Sequence, residues 1–108
     1  MKRTHLGEFE ELVLLIIGTL GNEAYSISIK EELIRKTGRS PSIGALHSAL
    51  NRLEEKGFVG SFEGGATKER GGRRKRFYNI TATGKAALSD AYTLRASLYN
   101  LIPGFSTE

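Results

Sequence analysis

The sequence predicts a mainly helical fold with one small β-hairpin, and three features carry that expectation. Apolar residues recur at helical spacing in separate stretches bounded by glycine, proline or a capping hydroxyl residue. Two short runs rich in strand formers, Phe58–Phe62 and Phe77–Ile80, are natural pairing partners. Between them lies GGATKERGGRRK, a charged, glycine-containing loop with nothing apolar beyond Ala66.

The first helix is expected from Glu8 to about Leu20. Its acids at the start suit the positive end of the helix dipole, and Gly18 and Gly21 mark its end. After the first turn almost no polar face remains, so one side is expected on its own domain and the other, through Leu12 and Ile16, on a second copy. Ala24 to Ile27 reads as a short extended or turn-like piece. Ser28-Ile29-Lys30-Glu31 fits a capping box for a second helix running to Thr37, with Ile29, Leu33 and Ile34 inward and Gly38 closing it. Ser40-Pro41-Ser42 follows, and either serine can cap the third helix. That helix, within Ser42 to Gly57, places Ile43, Leu46, Leu50 and Leu53 on one stripe. Two helices joined by about four residues containing glycine and proline have the chemistry of a helix-turn-helix. The hairpin comes next, its basic loop forming a projecting tip. Thr81 or Thr83 then caps a last helix from about Gly84 to Leu101, stopped by Pro103-Gly104. Along it Ala87, Ala91, Leu94, Leu98 and Leu101 form a heptad seam, with Leu88, Tyr92, Tyr99 and Ile102 in a second stripe. This exceeds what packing on one small domain requires and points to pairing across a two-fold axis. The expected dimerisation set is Leu12, Ile16, Ala87, Leu88, Ala91, Leu94, Leu98 and Leu101. The whole order is that of a winged helix-turn-helix over residues 1–80 and a C-terminal dimerisation helix over 81–108, one continuous globular unit.

A chain of 108 residues supports a single domain with a modest core. It has no cysteine, hence no disulfide framework and no thiolate metal or redox site. The apolar run Leu12–Ile17 is too short to span a bilayer, which takes about 20 residues. A cytoplasmic, soluble protein is the expectation. The histidines are His5 and His47, and neither has a nucleophile or metal-ligand pattern around it. The pairs Glu31–Glu32 and Glu54–Glu55 read as solvated helix surface. No catalytic residue, metal site or cofactor is therefore expected.

Charge distribution says more than net charge. Residues 68–76 hold six basic side chains and one acid, whereas the whole chain carries +4, so the remainder is slightly negative. Such concentration suits a polyanion, with double-stranded DNA the expected partner. An anionic membrane is disfavoured because no apolar helical face adjoins the patch. The outward face of the third helix carries small residues first and hydrogen-bonding ones after, as a helix entering a major groove about 12 Å wide requires. Its candidate DNA-binding residues are Ser42, Gly44, Ala45, His47, Ser48, Asn51 and Arg52. Those of the wing are Lys68, Arg70, Arg73, Arg74, Lys75 and Arg76. Two other readings remain. A winged-helix module docking its wing on an acidic protein would lack DNA affinity at physiological salt. A small RNA-binding protein would expose its aromatics for stacking, whereas Phe77 and Tyr78 are committed to a strand.

Several local patterns, taken together, resemble the PadR-type transcriptional regulators. They are Tyr25-Ser26-Ile27 before the second helix, Ser42-Ile43-Gly44-Ala45-Leu46 opening the third, and the Leu-x-x-Leu-x-x-x-Gly run from Leu50 to Gly57. Gly71-Gly72-Arg73-Arg74-Lys75-Arg76-Phe77-Tyr78-Asn79-Ile80-Thr81-Ala82-Thr83-Gly84 matches the family's wing and the opening of its last helix. The resemblance covers roughly Leu6 to Leu101. It implies a repressor relieved by a small molecule bound near the dimer interface, and the two-fold pairing expected of the last helix would present the third helices of a homodimer to a near-palindromic operator. Tyr92, Tyr99 and Phe9 are candidates to line that pocket. The family commonly has tyrosine where this chain has His47, which either donates to a phosphate or packs at the helix flank. The single C-terminal helix resembles the short subclass.

Overall fold

The computed structural model describes residues 5–64 and 75–104. Its elements are α1 (Glu8–Leu20), α2 (Ser26–Thr37), α3 (Ile43–Glu55), β1 (Val59–Glu63), β2 (Arg76–Ile80) and α4 (Ala82–Tyr99), with a 3-10 turn at Gly21–Glu23. The predicted class, a mainly helical winged helix-turn-helix with one antiparallel hairpin, is borne out.

The apolar stripes meet in a single core. Val13, Leu14 and Ile17 of α1 pack with Ile29 and Leu33 of α2, Leu46, Ala49, Leu50 and Leu53 of α3, and Phe58 and Val59 leading into β1. Helix α1 touches α2, α3, β2 and α4, which explains its lack of a polar face. Its large apolar residues are buried or half-buried except Leu15, which is 44% exposed. Ile16 is only 6% exposed within the single chain, and Leu12 is half-buried against the same core.

Helix α2 begins earlier than its sequence suggests. Tyr25 is the cap position, and the Ser28 hydroxyl reaches back, accepting from the Tyr25 amide at 2.9 Å and donating to the Glu23 carbonyl at 2.6 Å. Ser28 is thus the third residue of the helix rather than its cap, since Tyr25 is held in an extended bridge to Phe77. Gly38 ends α2 in the left-handed conformation (φ 78°), its amide bonding to Ile34. Ser42, not Ser40, caps α3, accepting from the Ala45 amide at 3.0 Å. Ile34 and Ile43 were expected inward but stand exposed, one at the end of α2 and the other at the start of α3, beyond the cover of neighbouring helices.

The strands pair with Val59 opposite Ile80, Ser61 opposite Tyr78 and Phe62 opposite Phe77. The Tyr78 amide donates to the Ala24 carbonyl at 2.8 Å, so the extended piece before α2 adds a short third edge. Thr81 caps α4, accepting from the Gly84 amide at 2.9 Å and donating to the Gly57 carbonyl at 2.7 Å. Gly84 is buried, and a Cβ there would lie 2.2 Å from the Phe58 carbonyl oxygen. Glycine lets α4 settle on the entry to β1. Beyond Ala91 the apolar residues of the helix are mostly exposed, although Arg95 pairs with Glu11 of α1 at 2.7 Å, and the helix ends at Tyr99, so Leu101 falls in the following turn rather than in the helical seam.

Candidate nucleic-acid interface

Helix α3 is buried along Leu46, Ala49, Leu50 and Leu53, which turns its other side to solvent. Ser42, Gly44, Ala45, His47, Ser48, Asn51 and Arg52 are all exposed. The first six form a surface of small and hydrogen-bonding groups, beginning at a capped helix N-terminus whose dipole favours an anion. Arg52 differs. Its Nε donates to Glu10 Oε2 at 2.6 Å, so the side chain turns toward α1 and not straight outward. Lys56, one turn further along, donates to Glu10 Oε1 at 2.7 Å and to the His5 carbonyl at 2.6 Å.

Glu10 is the buried charge of this arrangement, only 5% exposed. Burial by itself would raise its pKa. The hydrogen bonds from Lys56 and Arg52, with a weaker one from the Gly7 amide, outweigh that and hold the carboxyl below its ordinary range. Sequence reading placed Glu10 only among the acids at a helix start. Its partners lie 42 and 46 residues away, so no local pattern announces them.

The base of the wing is fixed by aromatic packing. Phe77 stacks on Phe62 with centroids 5.7 Å apart and meets the edge of Tyr25 at 5.4 Å. The Lys75 ammonium sits 4.1 Å from the Tyr25 ring centroid. Glu54 of α3 accepts from the Ser61 hydroxyl at 2.7 Å and pairs with Arg76 at 3.7 Å, tying α3 to both strands. Lys75 and Arg76 are exposed at the wing's root. Lys68, Arg70, Arg73 and Arg74 lie outside the described residues. The Tyr78 hydroxyl is held above its ordinary pKa, chiefly by burial, and stays neutral.

Sequence reading passed over Arg39, which stands just ahead of α3. It pairs with Glu8 at 2.7 Å and lies over the Phe9 ring at 5.5 Å. A shallow cleft of about 350 Å³ is lined there by Phe9, Arg39, Ser40, Pro41 and Ala45. The available signal was a cation directly after a helix-ending glycine.

Residues expected around an effector do not converge. Tyr92 and Tyr99 are exposed on α4, while Phe9 belongs to the cleft beside Arg39. A separate open groove of about 550 Å³ runs under α4, bounded by Leu6, Phe58, Ala87, Ala91, Leu94 and Leu98 with Asp90 and Arg95 among its polar groups. Of the expected dimer seam, Ala87, Leu88 and Ala91 pack against the core, whereas Leu94, Leu98 and Leu101 are 60%, 55% and 75% exposed. No helix among the described residues is long and apolar enough to cross a membrane.

Comparison with known proteins places this geometry. The model of the transcriptional regulator PadR-like family matches residues 13–90. An uncharacterized protein from Lysinibacillus sphaericus is 31% identical over 101 residues, covering 92% of this chain and 88% of its own length. Among solved structures, a transcriptional regulator from Clostridium thermocellum superposes with a TM-score of 0.70 at 22% identity, covering 91% of this chain and 92% of that one. A PadR family transcription regulator from Clostridium difficile R20291 gives 0.65 at 23% identity, covering 87% and 96%.

Proposed function

The chain belongs to the PadR-like family of transcriptional regulators, and on that footing we propose that it is a homodimeric repressor reading a near-palindromic operator. Members of this family are transcription regulators rather than enzymes. One observation carries the reading: the exposed face of α3 presents Gly44, Ala45, His47, Ser48 and Asn51 free of bulky apolar cover, beside a wing whose root bears Lys75 and Arg76. His47, Ser48 and Asn51 are the proposed contacts to base edges or nearby phosphates, and the amides around Ser42 to Ala45 suit a phosphate. Lys75, Arg76 and the basic residues Lys68, Arg70, Arg73 and Arg74 supply the wing's cations.

In a two-fold dimer the two copies of α3 would address half-sites about 34 Å apart. The exposed leucines of α4 are the proposed pairing surface, in a cytoplasmic setting. A small amphiphilic effector that relieves repression would fit the groove under α4 better than the Tyr92, Tyr99 and Phe9 set, because apolar walls and two polar groups converge there.

Fluorescence anisotropy against DNA upstream of the protein's own gene, compared with scrambled DNA across a salt series, tests the proposal. Preferential binding, with a fall of log affinity against log salt that steepens by about 0.9 for each phosphate neutralised, is the expected result. No affinity for any duplex at physiological salt would favour the protein-docking module instead.

A further inference from the structure

We infer that Glu10 is a positioning residue of the recognition helix, which holds Arg52 and Lys56 in one internal cluster and keeps both side chains off the DNA. The inference rests on the DNA-binding reading and assigns a role inside it. Both carboxylate oxygens of Glu10 are engaged, one by Arg52 Nε at 2.6 Å and the other by Lys56 Nζ at 2.7 Å. These two cations are one helical turn apart, Arg52 within α3 and Lys56 capping its C-terminal end, so the carboxylate grips that helix at two points and fixes its rotation against α1. Glu10 is almost wholly buried, whereas the Arg52 side chain is half exposed at the margin of the DNA-facing surface. An unpaired arginine there would seek the nearest phosphate on any sequence. Held by Glu10, its guanidinium is turned toward α1 and makes no direct phosphate contact, and discrimination falls to the uncharged groups of α3.

The same first turn of α1 holds other parts of the molecule. Glu8 pairs with Arg39 just ahead of α3, and Glu11 pairs with Arg95 of α4 at 2.7 Å. Glu10 differs from both in being buried and in holding two cations at once.

Glu10→Gln keeps the side chain's shape and removes its charge. It is to be measured by anisotropy on the upstream DNA and on scrambled duplex across a salt series, with circular dichroism reporting the folded fraction. The expected result is a salt slope on scrambled DNA steeper by about 0.9 for each released cation that reaches a phosphate, and an upstream-to-scrambled ratio reduced about tenfold. A folded variant with the slope and ratio of the unaltered protein overturns the inference. Arg52→Gln decides the matter should Glu10→Gln not fold. It is expected to weaken binding to the upstream DNA while leaving the salt slope in place, and a slope flattened by about 0.9 would mean that Arg52 had been on a phosphate, which also overturns the inference. Failure of the unaltered protein to bind any duplex is a distinct result that removes the DNA-binding reading first and this one with it.

Discussion

Burying a carboxylate is costly unless hydrogen bonds and opposite charges replace its water, and Glu10 meets that condition through Arg52, Lys56 and the Gly7 amide. Its pKa in the folded chain lies below the ordinary value of 4.5. The stabilisation is therefore present above the unfolded-state pKa and is lost as the pH falls through the lower, folded one. Urea midpoints followed from pH 7 toward pH 3 should drop below about pH 4.5 in the unaltered chain and drop less in Glu10→Gln. At neutral pH the variant should be less stable by about 2 kcal/mol, the scale of hydrogen bonds to a charged group with one partner half in water. Gly84 makes a second residue-scale case. A methyl group placed 2.2 Å from the Phe58 carbonyl oxygen must move α4 or the entry to β1. Gly84→Ala should cost roughly 1–3 kcal/mol although alanine is the better helix former, and thermal unfolding followed by circular dichroism would register it. An unchanged midpoint would show that the helix can shift freely.

Each element is set by a few tertiary ties added to its own periodicity, and here the limits of sequence reading become physical. All four helices and both strands were legible because their apolar spacing and terminators are local properties. The start of α2 was not, since Tyr25 is drawn into a bridge with Phe77 from the other end of the domain. Ile34 and Ile43 fit their stripes, but a stripe gives the direction of a face and not how far the neighbouring helix extends over it. The exposed face of α3 was readable by the same logic, while Arg52's commitment to Glu10 depends on how α1 and α3 lie together. At the hairpin, the Tyr25–Phe77–Phe62 cluster and Glu54 stiffen the wing's root, which gives its cations a defined base. If those cations grip phosphates, Arg74→Ala with Arg76→Ala should flatten the salt slope of DNA binding by about 0.9 for each phosphate no longer neutralised. An unchanged slope would remove the wing from the interface.

At the scale of the whole molecule, the chain is elongated, 58 × 34 × 22 Å, with a radius of gyration of 16.0 Å. A compact chain of this length would have a radius of about 13 Å. In the second half of α4, Leu94 and Leu98 are more than half exposed. Fully burying a leucine is worth roughly 1.5–3 kcal/mol, so these side chains, with Leu101 beyond the helix end, are a strong incentive for pairing once a second copy supplies the cover. Pairing also changes binding arithmetic, because the second half-site is then engaged at the effective concentration set by the first. Leu94→Glu with Leu98→Glu places like charges along the exposed row without touching the core. Light scattering should then report the monomer mass of 11.8 kDa in place of twice that value. The circular dichroism spectrum should keep its helical form, since Ala87, Leu88 and Ala91 still hold the base of α4. Affinity for a two-half-site duplex should fall by about 100-fold or more, toward that of a single half-site. A monomer mass for the unaltered chain, or a dimer that survives both substitutions, would move the pairing surface elsewhere and leave the apolar row of α4 without the role assigned to it.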